Sequence, residues 1–234
     1  VTFSSLIYLP LIVVHIIAGT IAIISGATAM TARKGSASLH ARAGNWFFVS
    51  MLVMASSAAV LTWWEPDPVS LMGAILTLYL VATSWMTARG SGWRRYEWAA
   101  MIFASSLAVV LGLTGWLALQ STDGMIAGVS QQPFFVFGGF ALMAALLDCH
   151  FLLRENVNQR QRIARHLWRM CVPYFLAATS LFLGQQDDVF FFMAGSPLLF
   201  IPSLATVLFM VFWILRVRFA KQWLRPVWPT FARA

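Results

Sequence analysis

Charge is the scarcest property of this chain: Asp, Glu, Lys and Arg make up 10% of its 234 residues and hydrophobic residues 60%, whereas about a quarter of an average soluble domain is charged. That shortage excludes an ordinary soluble globular protein and leaves a membrane protein. Cysteine is scarce too, with only Cys149 and Cys171, and no CxxC or CxxCH occurs. A zinc knuckle and a covalently attached c-type haem are therefore without support. Both cysteines lie near the end of a hairpin expected to face the cytoplasm, where a disulfide is disfavoured. The two lysines, Lys34 and Lys221, fall outside the apolar runs, which removes the Schiff-base lysine a retinal protein needs. GxSxG, HExxH, Walker and GxGxxG signals are absent from any suitable context. The N-terminus lacks a basic n-region and its first apolar run exceeds a signal-peptide core, so it is read as a transmembrane helix. A net charge of +8 would suit a nucleic-acid binder only if the bases lined one face of a soluble fold. Here they occupy the gaps between apolar runs, and no nucleic-acid partner is expected.

What is present is seven apolar stretches, each long enough to span a bilayer at about twenty residues. They run from about Ser5 to Thr31, His40 to Trp64, Val69 to Ala88, Tyr96 to Gln120, Pro133 to Leu153, Ile163 to Gln185 and Pro197 to Leu215. The sequence thus predicts an all-α, polytopic bundle of seven transmembrane helices over residues 1–218. A basic aromatic tail, 219–234, with Trp223 and Trp228, is expected at the headgroup level. Small residues recur at three- and four-residue spacing in the first span (Ala18, Gly19, Ala22, Ser25, Gly26, Ala29) and the fourth (Ala104, Ala108, Gly112, Gly115). Such stripes let helices approach closely in lipid. Pro202 predicts a kink in the last span.

The bases segregate completely. Arg33, Lys34 and Arg42, then Arg89, Arg94 and Arg95, then Arg154, Arg160, Arg162, Arg165 and Arg169, and finally Arg216, Arg218, Lys221, Arg225 and Arg233 all fall at one set of helix ends. The opposite loops hold Glu65, Asp67, Asp123, Asp187 and Asp188 and no base. By the positive-inside rule the N-terminus is out and the C-terminus in the cytoplasm.

Chemistry concentrates between Leu147 and Met170. Asp148 lies roughly 7 Å inside the cytoplasmic end of its helix, a depth at which a carboxylate normally faces the bundle interior and finds a partner. Arg169, Arg42 and His166 are the candidate partners. His150, two positions on, points about 160° away and belongs to a different environment. Together Asp148, His166, Arg169, His40 and Arg42 are the candidate binding pocket, open to the cytoplasmic side, for a small polar ligand or a proton. A helix-locking role is the structural alternative. His40, His150 and His166 lie in the cytoplasmic third and His15 near the midplane. These four are the candidate haem ligands, with His40 and His166 the best-placed pair for a b-type haem. A metal-dependent intramembrane hydrolase would use the same residue types, although no HxxxH pair lies on one helix. Partners expected from these features are the lipid bilayer and either other membrane subunits or further copies of the chain.

With these residues laid out, the chain resembles the bacterial membrane-protein family catalogued as domain of unknown function 2306. The likeness rests on His15 with Gly19 and Gly26, Lys34 and Gly35, His40 with Gly44, the run Arg165, His166, Leu167, Trp168, Arg169, Met170, and the later Pro202 and Trp213. It implies a multi-pass protein of the bacterial inner (cytoplasmic) membrane and supplies no catalytic role.

Overall fold

The long apolar runs do become helices, and local chemistry sets where each one starts and stops. In the computed structural model, which describes residues 3–33, 38–90, 93–154 and 157–219, the spans are α1 (Phe3–Thr31), α2 (Leu39–Leu61), α3 (Pro68–Arg89), α4 (Arg94–Gln120), α5 (Gln131–Leu152) and α6 (Gln159–Thr179). A π-helical turn (Ser180–Gly184), the single-turn α7 (Gln186–Val189) and two 3-10 turns lead to the last span, α8 (Ile201–Phe219). Seven of these helices are long and apolar enough to cross a membrane. Lys34, Gly35 and the tail beyond Phe219 lie outside the described residues.

Asp67 starts α3 by accepting from the amides of Val69 (3.0 Å) and Ser70 (3.1 Å), with Pro68 in the first turn, where its missing N–H costs nothing. Gly90, at φ 106°, ends it in a conformation L side chains avoid. Asn158 opens α6 four residues earlier than hydropathy indicates. Its side chain accepts from the Gln161 amide while the Gln161 side chain accepts from the Asn158 amide, both at 3.0 Å, a capping box. Such polar starts leave no mark on hydropathy. Pro202 falls in the first turn of α8, directly behind the 3-10 turn Pro197–Phe200, a position where the missing N–H of proline is tolerated. Between α4 and α5 a two-residue antiparallel ladder, Met125–Ile126 with Val129–Ser130, closes through Ala127 (φ 51°) and Gly128 (φ 74°), the paired positive φ of a tight hairpin turn. The Met125 amide, donating to Asp123, holds that exposed carboxyl below the usual carboxylate range.

Packing follows the small-residue stripes. Ala18, Ala22, Ser25 and Ala29 are buried, and α1 lies chiefly along α2. A Cβ at Gly26 would collide with the Tyr174 ring and Phe47, so glycine there admits α6 as well. On the other side Gly138 of α5 sits against Leu111, Gly112 and the Ala108 carbonyl, bringing α4 and α5 together. Helix α6 runs along α3 and α8 and also touches α1. Two apolar clusters flank it. Ala22, Phe47, Met51, Val81, Tyr174 and Ala178 join α1, α2, α3 and α6. Leu76, Tyr79, Leu80, Ala104, Ala144, Trp168 and Val172 join α3, α4, α5 and α6. The charged residues of the bundle meet beside this second cluster.

Candidate functional site

Asp148 is wholly buried on α5, and both its oxygens are occupied. Oδ1 accepts from Arg165 Nε (3.2 Å) and Nη2 (2.9 Å) and from Arg169 Nη2. Oδ2 accepts from the Tyr79 hydroxyl at 2.6 Å. Arg165 continues the network, since its Nη1 donates to Thr87 Oγ1 and to Glu97 Oε1, each at 2.6 Å. Six side chains from α3, α4, α5 and α6 thus form one cluster, with two carboxylates against two guanidinium groups. That balance is what allows four charges to sit inside a membrane-spanning bundle. Each is paired and hydrogen-bonded, as an apolar surround demands.

The two arginines, one helical turn apart, are not equivalent. Arg165 uses all three nitrogens on Asp148, Glu97 and Thr87 and lies 4.2 Å over the Phe151 ring. Arg169, fully buried, commits only Nη2, which donates to Asp148 and, at 3.2 Å, to the Tyr79 hydroxyl oxygen. Its Nε and Nη1 have no hydrogen-bond partner among the described residues. The rings of Trp168 (5.1 Å) and Tyr79 (5.3 Å) lie near its guanidinium carbon. Ring faces offset positive charge, but they do not replace acceptors for in-plane N–H groups.

The cluster holds Asp148 and Arg169 of the five expected pocket residues. His166 is on the same helix but turned to α3, where the Ser84 hydroxyl is 3.0 Å from its Nδ1 and donates to its carbonyl at 3.1 Å. His40 is placed against α1, its Nδ1 2.7 Å from the Ala29 carbonyl. Arg42 is exposed on α2 and is not among the partners of Asp148. Helix α2 packs on α1 and α3, so its first turn is not beside α5, and the counter-charge comes from α6. Four participants escape a reading by depth alone: Arg165, Tyr79, Glu97 and Thr87. Arg165 carried a usable signal, being four residues before Arg169 and so on the same face. Glu97, an acid in the first turn of a span otherwise flanked by bases, carried another.

The histidines are dispersed. His15 lies with Nδ1 3.0 Å from the Met54 carbonyl and 3.1 Å from Ser57 Oγ on α2. His150 is exposed and accepts from Arg154 Nη2 at 2.7 Å, opposite in direction to Asp148. Among the described residues no three His, Cys, Asp or Glu side chains converge as a metal-binding group, so the ligand set of an intramembrane metal hydrolase is not assembled. Among the described residues neither Cys149 nor Cys171 is in a disulfide. Comparison with protein-family models, curated proteins and solved structures returns no match.

Proposed function

We propose that this chain is a multi-pass protein of the bacterial inner membrane, N-terminus out and C-terminus in, that binds a small oxygen-bearing ligand at the cluster around Arg169. The observation that carries the reading is the unequal use of two neighbouring arginines. Every nitrogen of Arg165 has an acceptor, whereas Arg169, the more buried of the two, keeps Nε and Nη1 without acceptors among the described residues. A buried donor left unsatisfied costs about 1–3 kcal/mol, more for a charged group, and a guanidinium cannot escape by losing its proton. Ligand oxygens accepting at Nε or Nη1, which lie on different edges of the guanidinium, would recover part of that cost. The unused capacity is donor capacity, which favours such a ligand over a proton, since both Asp148 oxygens already hold donors. The resemblance to the family of unknown function is compatible with this reading, because Arg165 and Arg169 lie in the run that carries it.

The test is thermal stabilisation of the purified protein by a panel of small molecules sorted by acceptor group. Stabilising compounds should carry a carbonyl, carboxylate or phosphoryl oxygen and should lose their effect in Arg169→Lys, which keeps the charge but not the planar guanidinium with its Nε and Nη1 donors. Hits that persist in that variant, or none at all, would leave the cluster as a helix lock in an accessory membrane subunit. That second reading draws support from the complete satisfaction of Asp148 and the charge balance. For the b-type haem reading the discriminating measurement is a reduced-minus-oxidised visible spectrum. Haem bands lost in His166→Ala would displace the ligand reading.

A further inference from the structure

Tyr79 has two environments. Its hydroxyl belongs to the charged cluster, donating to Asp148 at 2.6 Å and accepting from Arg169 at 3.2 Å. Its side chain also lines a groove of about 410 Å³ between α3 and α4, together with Leu78, Ala82, Met86, Ala99 and Phe103. These two helices are consecutive but pack only lightly on each other, which is why the cleft persists. Ala99 and Phe103 are exposed on its outer side, so in a membrane the groove opens sideways to the acyl chains and not to water. At its inner wall the Tyr79 ring stands 5.3 Å from the guanidinium carbon of Arg169, whose Nε and Nη1 have no partner among the described residues.

Resting on the ligand reading above, we propose that the α3–α4 groove admits, from the bilayer, a neutral lipophilic carbonyl compound whose oxygen accepts from Arg169 while its apolar body lies along α3 and α4. Three observations select that class. The groove walls are almost wholly apolar, which suits a hydrocarbon or ring system and rejects a free polar metabolite. The vacant hydrogen-bonding capacity at the inner end is donor only, so the ligand supplies oxygen. The cluster is already neutral, with Asp148 and Glu97 against Arg165 and Arg169. A carboxylate or phosphate would therefore add an uncompensated charge within the span, whereas a carbonyl adds none. Tyr79 stands between groove and guanidinium and is the side chain that must turn to admit the oxygen, which makes it a positioning residue for the site.

The experiment measures binding of decyl-para-benzoquinone, decylbenzene and decanoate to the purified full chain in detergent, by thermal shift and tryptophan quenching. The quinone should bind saturably, with the other two at least tenfold weaker. Ala99→Trp, which fills the groove from its exposed side without touching the cluster, should weaken quinone binding at least tenfold and leave the unliganded melting temperature unchanged. Tyr79→Phe keeps the ring but loses the hydroxyl bonds, and should alter quinone affinity more than decylbenzene affinity. Equal binding of quinone and decylbenzene would mean apolar partitioning only and would overturn the proposal. Tighter decanoate binding that is lost in Arg169→Lys would overturn the neutral-carbonyl class while leaving an oxygen ligand at Arg169 intact. Quinone binding indifferent to Ala99→Trp but abolished by Arg169→Lys would overturn the groove alone. Failure of the quinone to bind would overturn this proposal outright, with the broader panel then deciding the parent reading by itself.

Discussion

Arg165 and Arg169 share the same Asp148 oxygen, and removing that carboxylate would leave Arg169 without a counter-charge and Arg165 with Glu97 alone. Asp148→Ala should cost about 3–5 kcal/mol, the usual penalty for leaving a buried charge unpaired, measured by reversible unfolding in detergent or bilayer. Glu97 touches only Arg165 in the network, and its side chain is 11% exposed. Glu97→Gln retains an acceptor there and should lose less, about 1–3 kcal/mol. If the two losses were equal, the cluster would be acting as one unit in which position does not matter. Replacing both acids, Asp148 and Glu97, and both bases together by apolar residues should restore much of the stability, since an apolar packing often equals a buried ion pair. Such a quadruple variant separates folding from ligand binding, because it would fold and yet bind nothing at position 169.

At the scale of the helix, glycine contacts decide which substitutions the bundle tolerates. A methyl at Gly26 meets Tyr174 and Phe47, whereas one at Gly44 meets nothing within 4 Å. Gly26→Ala should therefore destabilise by about 1–3 kcal/mol through overpacking. Gly44→Ala should stabilise by about 0.5–1 kcal/mol through helix propensity. Thermal unfolding of the two variants side by side checks both, and a loss at Gly44 matching that at Gly26 would contradict the packing. Pro202→Ala should change little, because the proline sits in the first turn of α8 with no helical bond to recover. That spans existed, and roughly where, was legible from apolar length. Their true ends were set by Asn158 with Gln161 and by Asp67, short polar contacts to which a hydropathy window is blind.

Taken whole, the chain carries its bases at one set of helix ends, while the opposite loops hold Glu65, Asp67, Asp123, Asp187 and Asp188 and no base. With Cys149 and Cys171 replaced by alanine, an impermeant thiol reagent applied to right-side-out membrane vesicles should label cysteine placed at Asp123 or Asp188 and spare one at Arg160. The reverse pattern would invert the proposed orientation. Helix number, the polar end of each helix and the need of Asp148 for a partner all follow from the sequence alone, because crossing lipid imposes a length and a charge asymmetry that a one-dimensional reading can see. The identity of that partner does not follow from it. In lipid the outward face of a helix is as apolar as the inward one, so periodicity carries little information on how each helix is rotated or which helices are neighbours. Only the tertiary arrangement decided that α6 and not α2 answers Asp148, that Tyr79 and Glu97 reach the same cluster from α3 and α4, and that Arg169 is left with donors to spare beside a groove facing the bilayer.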